Sequence, residues 1–163
     1  MNDQTTLDFP ELRSAKSAFS GPSGSPSFSR VWATHTNDLN PATAAEHHMG
    51  ACAFLAMLVE RGVRADLLIF DPPYSPRQIS ECYKAAGLTA GMKETQNARL
   101  YGECRKLMKQ LALPGCVALC FGWNSAGMGK PWITEEILLV AHGGAHNDTI
   151  CTADRLPAGG ANK

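Results

Sequence analysis

The chain has 163 residues, room for one compact domain with a core and too few for two ordinary ones. Lys plus Arg equals Asp plus Glu at 15 each, so the net charge is zero and composition alone gives no sign of affinity for nucleic acid or membrane. No apolar run approaches the roughly 18 residues of a membrane span, and the six cysteines lack CxxC spacing and follow no signal peptide, the pattern of reduced thiols in a soluble cytoplasmic protein.

Residues 1–29 hold few core formers and include FSGPSGSPSFS, linker chemistry that predicts a flexible N-terminal segment. Order is expected over 30–156. A weakly alternating strand is expected at Trp32–Thr36, closed by the turn signal Asn37-Asp38-Leu39-Asn40-Pro41. Thr43 to Glu60 reads either as a helix divided at Gly50 or as a short strand at His47–Met49 followed by a helix from Ala51. Leu67–Phe70 is a short continuous apolar run of the kind found in a strand buried on both faces.

That run stops on Asp71-Pro72-Pro73-Tyr74. Ser75-Pro76-Arg77-Gln78 then supplies a Ser N-cap, proline at the first helical position and Gln three after the cap, so a helix starts there. Ile79, Cys82, Tyr83 and Ala86 form its expected buried stripe, and Gly87 ends it. A second helix is expected from Thr95 to Leu111, with Leu100, Cys104, Leu107, Met108 and Leu111 on one face and Pro114-Gly115 as its breaker. Cys116–Phe121 reads as a buried strand and GWNSAGMGK as a loop. Glu136–Ala141 and Thr149–Ala153 read as a hairpin around HGGAHND. The tail 157–163 is expected to be flexible. Strands separated by helices and closing on an antiparallel hairpin predict an α/β sheet with one reversed strand.

In such a sheet the ligand crevice lies at the carboxyl ends of the strands, where Asp71 to Tyr74 falls. Two prolines fix both φ angles and remove two N–H donors, leaving carbonyl oxygens in a stiff loop beside a carboxylate. An acceptor-only site of this kind suits an exocyclic amine, whose two hydrogens it can take, and Tyr74 can stack on the attached ring.

Asp71-Pro72-Pro73-Tyr74 at the end of an apolar strand resembles the catalytic signature of the amino-group DNA methyltransferases. Together THTNDLNP, DPPYSPRQI, FGWNSAGMGK and EILLVAHGGAHNDTIC are similar to small phage- or prophage-borne adenine-N6 methyltransferases, over Arg30 to Arg155. The resemblance implies a Rossmann-like class I methyltransferase sheet, mostly parallel with an antiparallel C-terminal hairpin and shortened at its N-terminus. It implies S-adenosyl-L-methionine as cofactor, DNA as partner, a bacterial or phage-infected cytoplasm, and a restriction-modification or prophage setting. Asp71 and the Pro72 carbonyl would accept the adenine N6 hydrogens, with Pro73 completing the loop and Tyr74 stacking on a flipped base. Asp38, with Asn40, Phe70 and Asp71, would hold the cofactor, Asp38 on its ribose hydroxyls. Phe121 and Trp123 would line the base pocket.

Two departures stand beside the resemblance. The family's glycine loop has no good match; Phe19-Ser20-Gly21-Pro22-Ser23-Gly24 is the nearest. Gly50 stands where relatives carry an acid that reads the cofactor's adenine. With no insertion for target recognition, duplex contacts fall to Gly87–Thr95, the 122–134 loop or the basic stretch 77–130, which carries eight basic and three acidic residues, with Arg77, Lys93, Arg99 and Lys130 as the candidates; a homodimer or partner subunit is the alternative supply of specificity. A competing reading is a methyltransferase-like nucleic-acid-binding accessory protein that does not bind cofactor. Cytosine N4, RNA adenine and protein glutamine remain alternative acceptors. Asp38 also fits a simple Asx turn, and Trp123 simple packing. His142, His146 and Asp148 lack a further metal ligand at fitting spacing, and no metal is expected.

Overall fold

The structure, a computed structural model, describes residues 33–92, 97–144 and 147–159. The expected linker, Trp32, the Phe19–Gly24 glycine candidate, Lys93, the helix start at Thr95, His146 and the last residues of the tail lie outside them. The elements run α1 (Ala51–Glu60), β1 (Ala65–Phe70), α2 (Pro76–Ala85), α3 (Asn97–Leu111), β2 (Ala112–Gly122), β3 (Ile133–Val140) and β4 (Thr149–Arg155). The fold is α/β, with a mixed four-stranded sheet ordered β1-β2-β4-β3.

Within the sheet only the β1–β2 pair is parallel; β2–β4 and β4–β3 are antiparallel. The expectation of a mostly parallel sheet is corrected accordingly: the hairpin inserts its second strand, β4, between β2 and β3, so two of the three strand pairs are antiparallel although β4 alone runs against the other three strands, the one reversed strand the sequence leads one to expect. Residues 33–36 form no strand. Instead Asn37 makes one isolated parallel bridge to His47, and the helix begins at Ala51, after Gly50, as in the second of the two readings of 43–60.

Helix ends follow local chemistry. Ser75 Oγ accepts the Gln78 N–H at 3.2 Å and Pro76 occupies the first turn. The Gln78 side chain reaches back one residue further than in a capping box, taking the Tyr74 N–H at 2.6 Å. Gly62 and Gly87, at φ 69° and 72°, close α1 and α2 with paired 6→1 and 5→2 bonds, Val63 N–H to Leu58 O with Gly62 N–H to Val59 O, and Leu88 N–H to Tyr83 O with Gly87 N–H to Lys84 O. Cys82, expected in the buried stripe of α2, is exposed, while Ile79 is fully buried.

The core lies on one face of the sheet. Phe70, Ala118 and Cys120 from β1 and β2 meet Cys104 and Met108 of α3, with Ala51, Cys52 and Leu55 of α1 against them. The two helices pack on each other, and Cys52 Sγ stands 3.5 Å from Cys104 Sγ. β1 is therefore buried on one face only. Leu67 and Ile69, expected inside, are 43% and 55% exposed, because β1 is a sheet edge and both packed helices cover its other face. β2, between β1 and β4, is the buried strand. Pro114-Gly115 does not separate α3 from the strand: the helix ends at Leu111 and the pair sits within β2 at a register irregularity, where Ala65 faces Ala112 but Leu67 faces Val117. Gly115, at φ 84°, supplies the turn.

A buried carboxylate ties β4 to the loop after β2. Asp154, 1% exposed, accepts the Met128 N–H at 2.9 Å and the hydroxyls of Thr152 at 2.9 Å and Thr134 at 2.5 Å. Gly127 passes so close that a β-carbon there would collide with that carboxylate, and its φ is +49°. The GWNSAGMGK loop is thus fixed from below, by a group that must be paired to be buried. No helix among the described residues is long and apolar enough to cross a membrane.

Candidate active site

The carboxyl ends of β1 and β2 lie side by side, Phe70 paired with Cys120. This brings Asp71-Pro72-Pro73-Tyr74 next to Phe121-Gly122-Trp123. Tyr74 and Trp123 meet edge-on, ring centroids 5.8 Å apart at 63°. Together with Phe70, Pro72 and Phe121 they line a cavity of about 160 Å³. That is smaller than the roughly 300–1,000 Å³ of pockets that take a whole ligand and suits a single flat ring system. A shallow groove of about 770 Å³ shares Tyr74 and Trp123 and continues along Gln78, His142, Asp148 and Thr149.

Within the loop, Tyr74 OH donates to Asp71 Oδ1 at 2.6 Å. Tyr101, on α3, donates its hydroxyl to the Pro73 carbonyl at 3.0 Å and sets its ring edge-on to Phe70 at 5.7 Å. The Pro72 carbonyl, one residue earlier, has no hydrogen-bond partner among the described residues, so the loop presents an uncommitted acceptor beside a carboxylate with one oxygen engaged.

Asp71 is reachable by solvent yet ringed by protein, and desolvation raises its pKa above the ordinary carboxylate value, opposed by the Tyr74 hydrogen bond. Tyr74 is raised by burial first, then by its bond to Asp71 and by that charge, with Thr149 hydrogen-bonded to it as the counterweight. The Asp71 charge also reaches Tyr101 on one side and Cys151 of β4 on the other. Burial pushes the Cys120 thiol at the cavity wall up to about 12, so it is a packing group and not a nucleophile.

The residues expected to hold the cofactor divide. Phe70 lines the cavity as a buried core residue, and Asp71 stands between the lining residues Phe70 and Pro72 with its carboxylate bonded to a third, Tyr74. Asp38 and Asn40 stand in a local turn: Asp38 Oδ1 accepts the Asn40 N–H at 2.8 Å and Asn40 Oδ1 the Ala42 N–H at 2.9 Å. Asp38 is exposed, and its charge raises the pKa of Cys82 on α2, after desolvation, so the turn lies within electrostatic reach of α2. Of the basic candidates, Arg77 is paired with Glu81 at 2.8 Å and Arg99 with Glu103 at 2.9 Å. These exposed i,i+4 pairs leave less free charge on the basic stretch than its count suggests. Lys130 is exposed in the loop after β2.

Several site residues escaped the sequence. Tyr101 and Arg105 line the cavity from α3, where helical spacing marks them only as neighbours of the apolar face. His142 and Asp148, which the sequence suggests only as incomplete metal ligands, meet at the hairpin: His142 Nε2 lies 3.1 Å from Thr149 Oγ1, and the His142 backbone N–H donates to Asp148 Oδ1 at 2.9 Å. These residues close the hairpin mouth beside Tyr74, and no group of three or more metal-binding side chains occurs among the described residues. Asp154 carried one legible signal, an acid in an otherwise apolar and hydroxyl-bearing strand. No protein-family model matches the chain, and no curated protein is significantly similar to it.

Proposed function

We propose that this protein transfers the methyl group of S-adenosyl-L-methionine to the N6 amine of adenine in DNA. One observation carries the reading: an acceptor-only Asp71-Pro72-Pro73-Tyr74 loop at the carboxyl end of β1, with the Pro72 carbonyl uncommitted, beside an aromatic cavity sized for one ring system. Asp71 Oδ2 and the Pro72 carbonyl take the two amine hydrogens. S-adenosyl-L-methionine, when bound, would supply an electrophilic sulfonium methyl; Asp71 and the Pro72 carbonyl would hold the amine lone pair out of the ring for it, and the proton the amine gives up would pass through Asp71 to solvent as S-adenosylhomocysteine is released. Tyr74 and Trp123 hold the base plane, and positioning supplies most of the rate. Asp38 and Asn40, in the turn within electrostatic reach of α2, hold the cofactor ribose, with Asp38 Oδ2 as acceptor; Lys130 and the exposed face of α2 meet phosphates.

A second reading, a nucleic-acid-binding accessory protein without cofactor, is favoured by the absence of a strand over 33–36 and by the engagement of Asp38 Oδ1 within its own turn. Calorimetry with S-adenosylmethionine and S-adenosylhomocysteine separates the two: micromolar binding is expected for the enzyme, and none, in a chain shown to be folded, for the accessory protein. Chromatography of nucleosides from DNA incubated with protein and labelled cofactor then identifies the product. N6-methyladenine is expected; N4-methylcytosine alone would overturn the adenine assignment.

A further inference from the structure

Arg105 is the only cation on the wall of the 160 Å³ cavity among its described lining residues. Its neighbour one turn back on α3, Tyr101, is committed to the Pro73 carbonyl, and the next arginine along the helix, Arg99, is neutralised by Glu103. Arg105 has no such arrangement. Its Nε is buried without a hydrogen-bond partner, although buried N–H groups are almost always satisfied. The guanidinium is nonetheless felt locally, lowering the pKa of both Tyr101 and Cys120 against the larger effect of their burial.

The rest of the wall says what acceptor would fit. Phe70, Tyr74, Tyr101, Phe121 and Trp123 make the cavity aromatic, so the occupant is flat and not a tetrahedral anion. Asp71, bonded to the lining residue Tyr74, repels a negative ligand. A neutral ring carrying its own acceptor satisfies Arg105 without bringing in charge. Acceptors at Asp71 and Pro72 with a donor at Arg105 are complementary to an amine and an unprotonated ring nitrogen on the same carbon.

We propose that Arg105 donates to the ring nitrogen beside the target amine, so that the cavity recognises an amidine edge, N1 with N6 in adenine or N3 with N4 in cytosine. This rests on the methyl-acceptor reading above and adds a specificity-determining residue to it. An oxo-substituted ring with N–H at that position would set a donor against Arg105 and is refused.

The test is nuclear magnetic resonance titration of the full chain with 2′-deoxyadenosine, its 1-deaza and 7-deaza analogues, and purine 2′-deoxyriboside, which lacks the amine. The wild type is expected to bind deoxyadenosine about tenfold more tightly than the 1-deaza analogue and equally to the 7-deaza analogue. Arg105→Met is expected to bind deoxyadenosine and the 1-deaza analogue alike while still preferring both to the amine-free purine. Arg105→Gln, which keeps an uncharged N–H, retains part of the gap. Equal wild-type affinity for deoxyadenosine and its 1-deaza analogue overturns the proposal without needing a folded variant. So does a gap that persists in Arg105→Met, or sensitivity to loss of N7 in place of N1. Equal affinity for deoxyadenosine and the amine-free purine would instead overturn the acceptor role of Asp71 and Pro72, and no nucleoside binding by the folded chain would overturn both.

Discussion

Two corners of the molecule carry the functional candidates, and they are built to different standards. At the corner formed by the ends of β1 and β2, two facing loops are each held from outside: Ser75 and Gln78 hold the exit of the Asp71 loop and Tyr101 its Pro73 carbonyl, while the buried Asp154 carboxylate holds the GWNSAGMGK segment. The 37–42 turn has one β-bridge and a ladder of local side-chain bonds among Asp38, Asn40 and Ala42, with the Asn37 amide and carbonyl oxygen tied to Met49. One corner is over-determined from several elements; the other is determined mainly by itself. Preorganisation of this kind marks where geometry must be held against a reacting group.

The better-held corner is most sensitive at Asp71. Asp71→Asn replaces an acceptor oxygen by a donor, and methyl transfer is expected to fall by about 10²–10³-fold, as when one preorganised hydrogen-bonding group is lost at a reacting centre. Its stability should be unchanged or higher. A carboxyl with a raised folded pKa binds its proton more tightly when folded, so stability falls as pH rises from the ordinary value of about 3.9 through the folded pKa, and above that the ionised group is a cost. Activity has the opposite sense, rising as Asp71 ionises. Its acid limb is therefore expected above about pH 3.9 and higher still in Tyr74→Phe, which removes the bond that lowers the pKa. Initial rates against pH, paired with thermal melts, check both; an acid limb unmoved in Tyr74→Phe would remove Asp71 from control of the rate.

Next in size is Gly127→Ala, expected to cost about 2–3 kcal/mol because the new β-carbon meets the Asp154 carboxylate in a backbone conformation that disfavours side chains. Urea unfolding measures it, and a neutral result would show that the loop is not pinned from below.

Asp38→Asn sharpens the other side of the comparison. Asparagine keeps an oxygen for the Asn40 N–H but loses the carboxylate, so the turn should survive while affinity for S-adenosylmethionine drops about tenfold, the value of a hydrogen bond to a charged group. Unaltered cofactor affinity by calorimetry would leave Asp38 a turn former alone. The smallest effect is at the cap: Ser75→Ala should cost about 1 kcal/mol of stability, with a larger loss in kcat than in cofactor affinity if the helix start does hold Tyr74. A kcat unchanged alongside the destabilisation would uncouple α2 from the loop.

Much of the organised corner was legible in advance. Leu67–Phe70 as a strand, Asp71 to Tyr74 at its carboxyl end, Ser75 as N-cap, Gly87 as stop and the β3–β4 hairpin are each signalled by residues within the element or at its ends, and each formed. Tyr74, Phe121 and Trp123, expected to share a pocket, line one cavity. The readings that failed concern which face meets what. Cys82 fits the periodicity of a buried stripe but is exposed, and Leu67 and Ile69 read as buried until β1 proved to be an edge strand.

By itself, then, the sequence determined the local devices: caps, turns, strand ends and an acceptor-only loop, because each depends on side chains and backbone within one turn or strand of itself. Tertiary structure decided the rest. It set β4 between β2 and β3, left one face of β1 to solvent, slid Pro114-Gly115 into a strand, and brought Tyr101 and Arg105 from α3 under the Asp71 loop. Those outcomes depend on which apolar surfaces meet across tens of residues, and residue pattern alone specifies that such a surface exists, not what covers it.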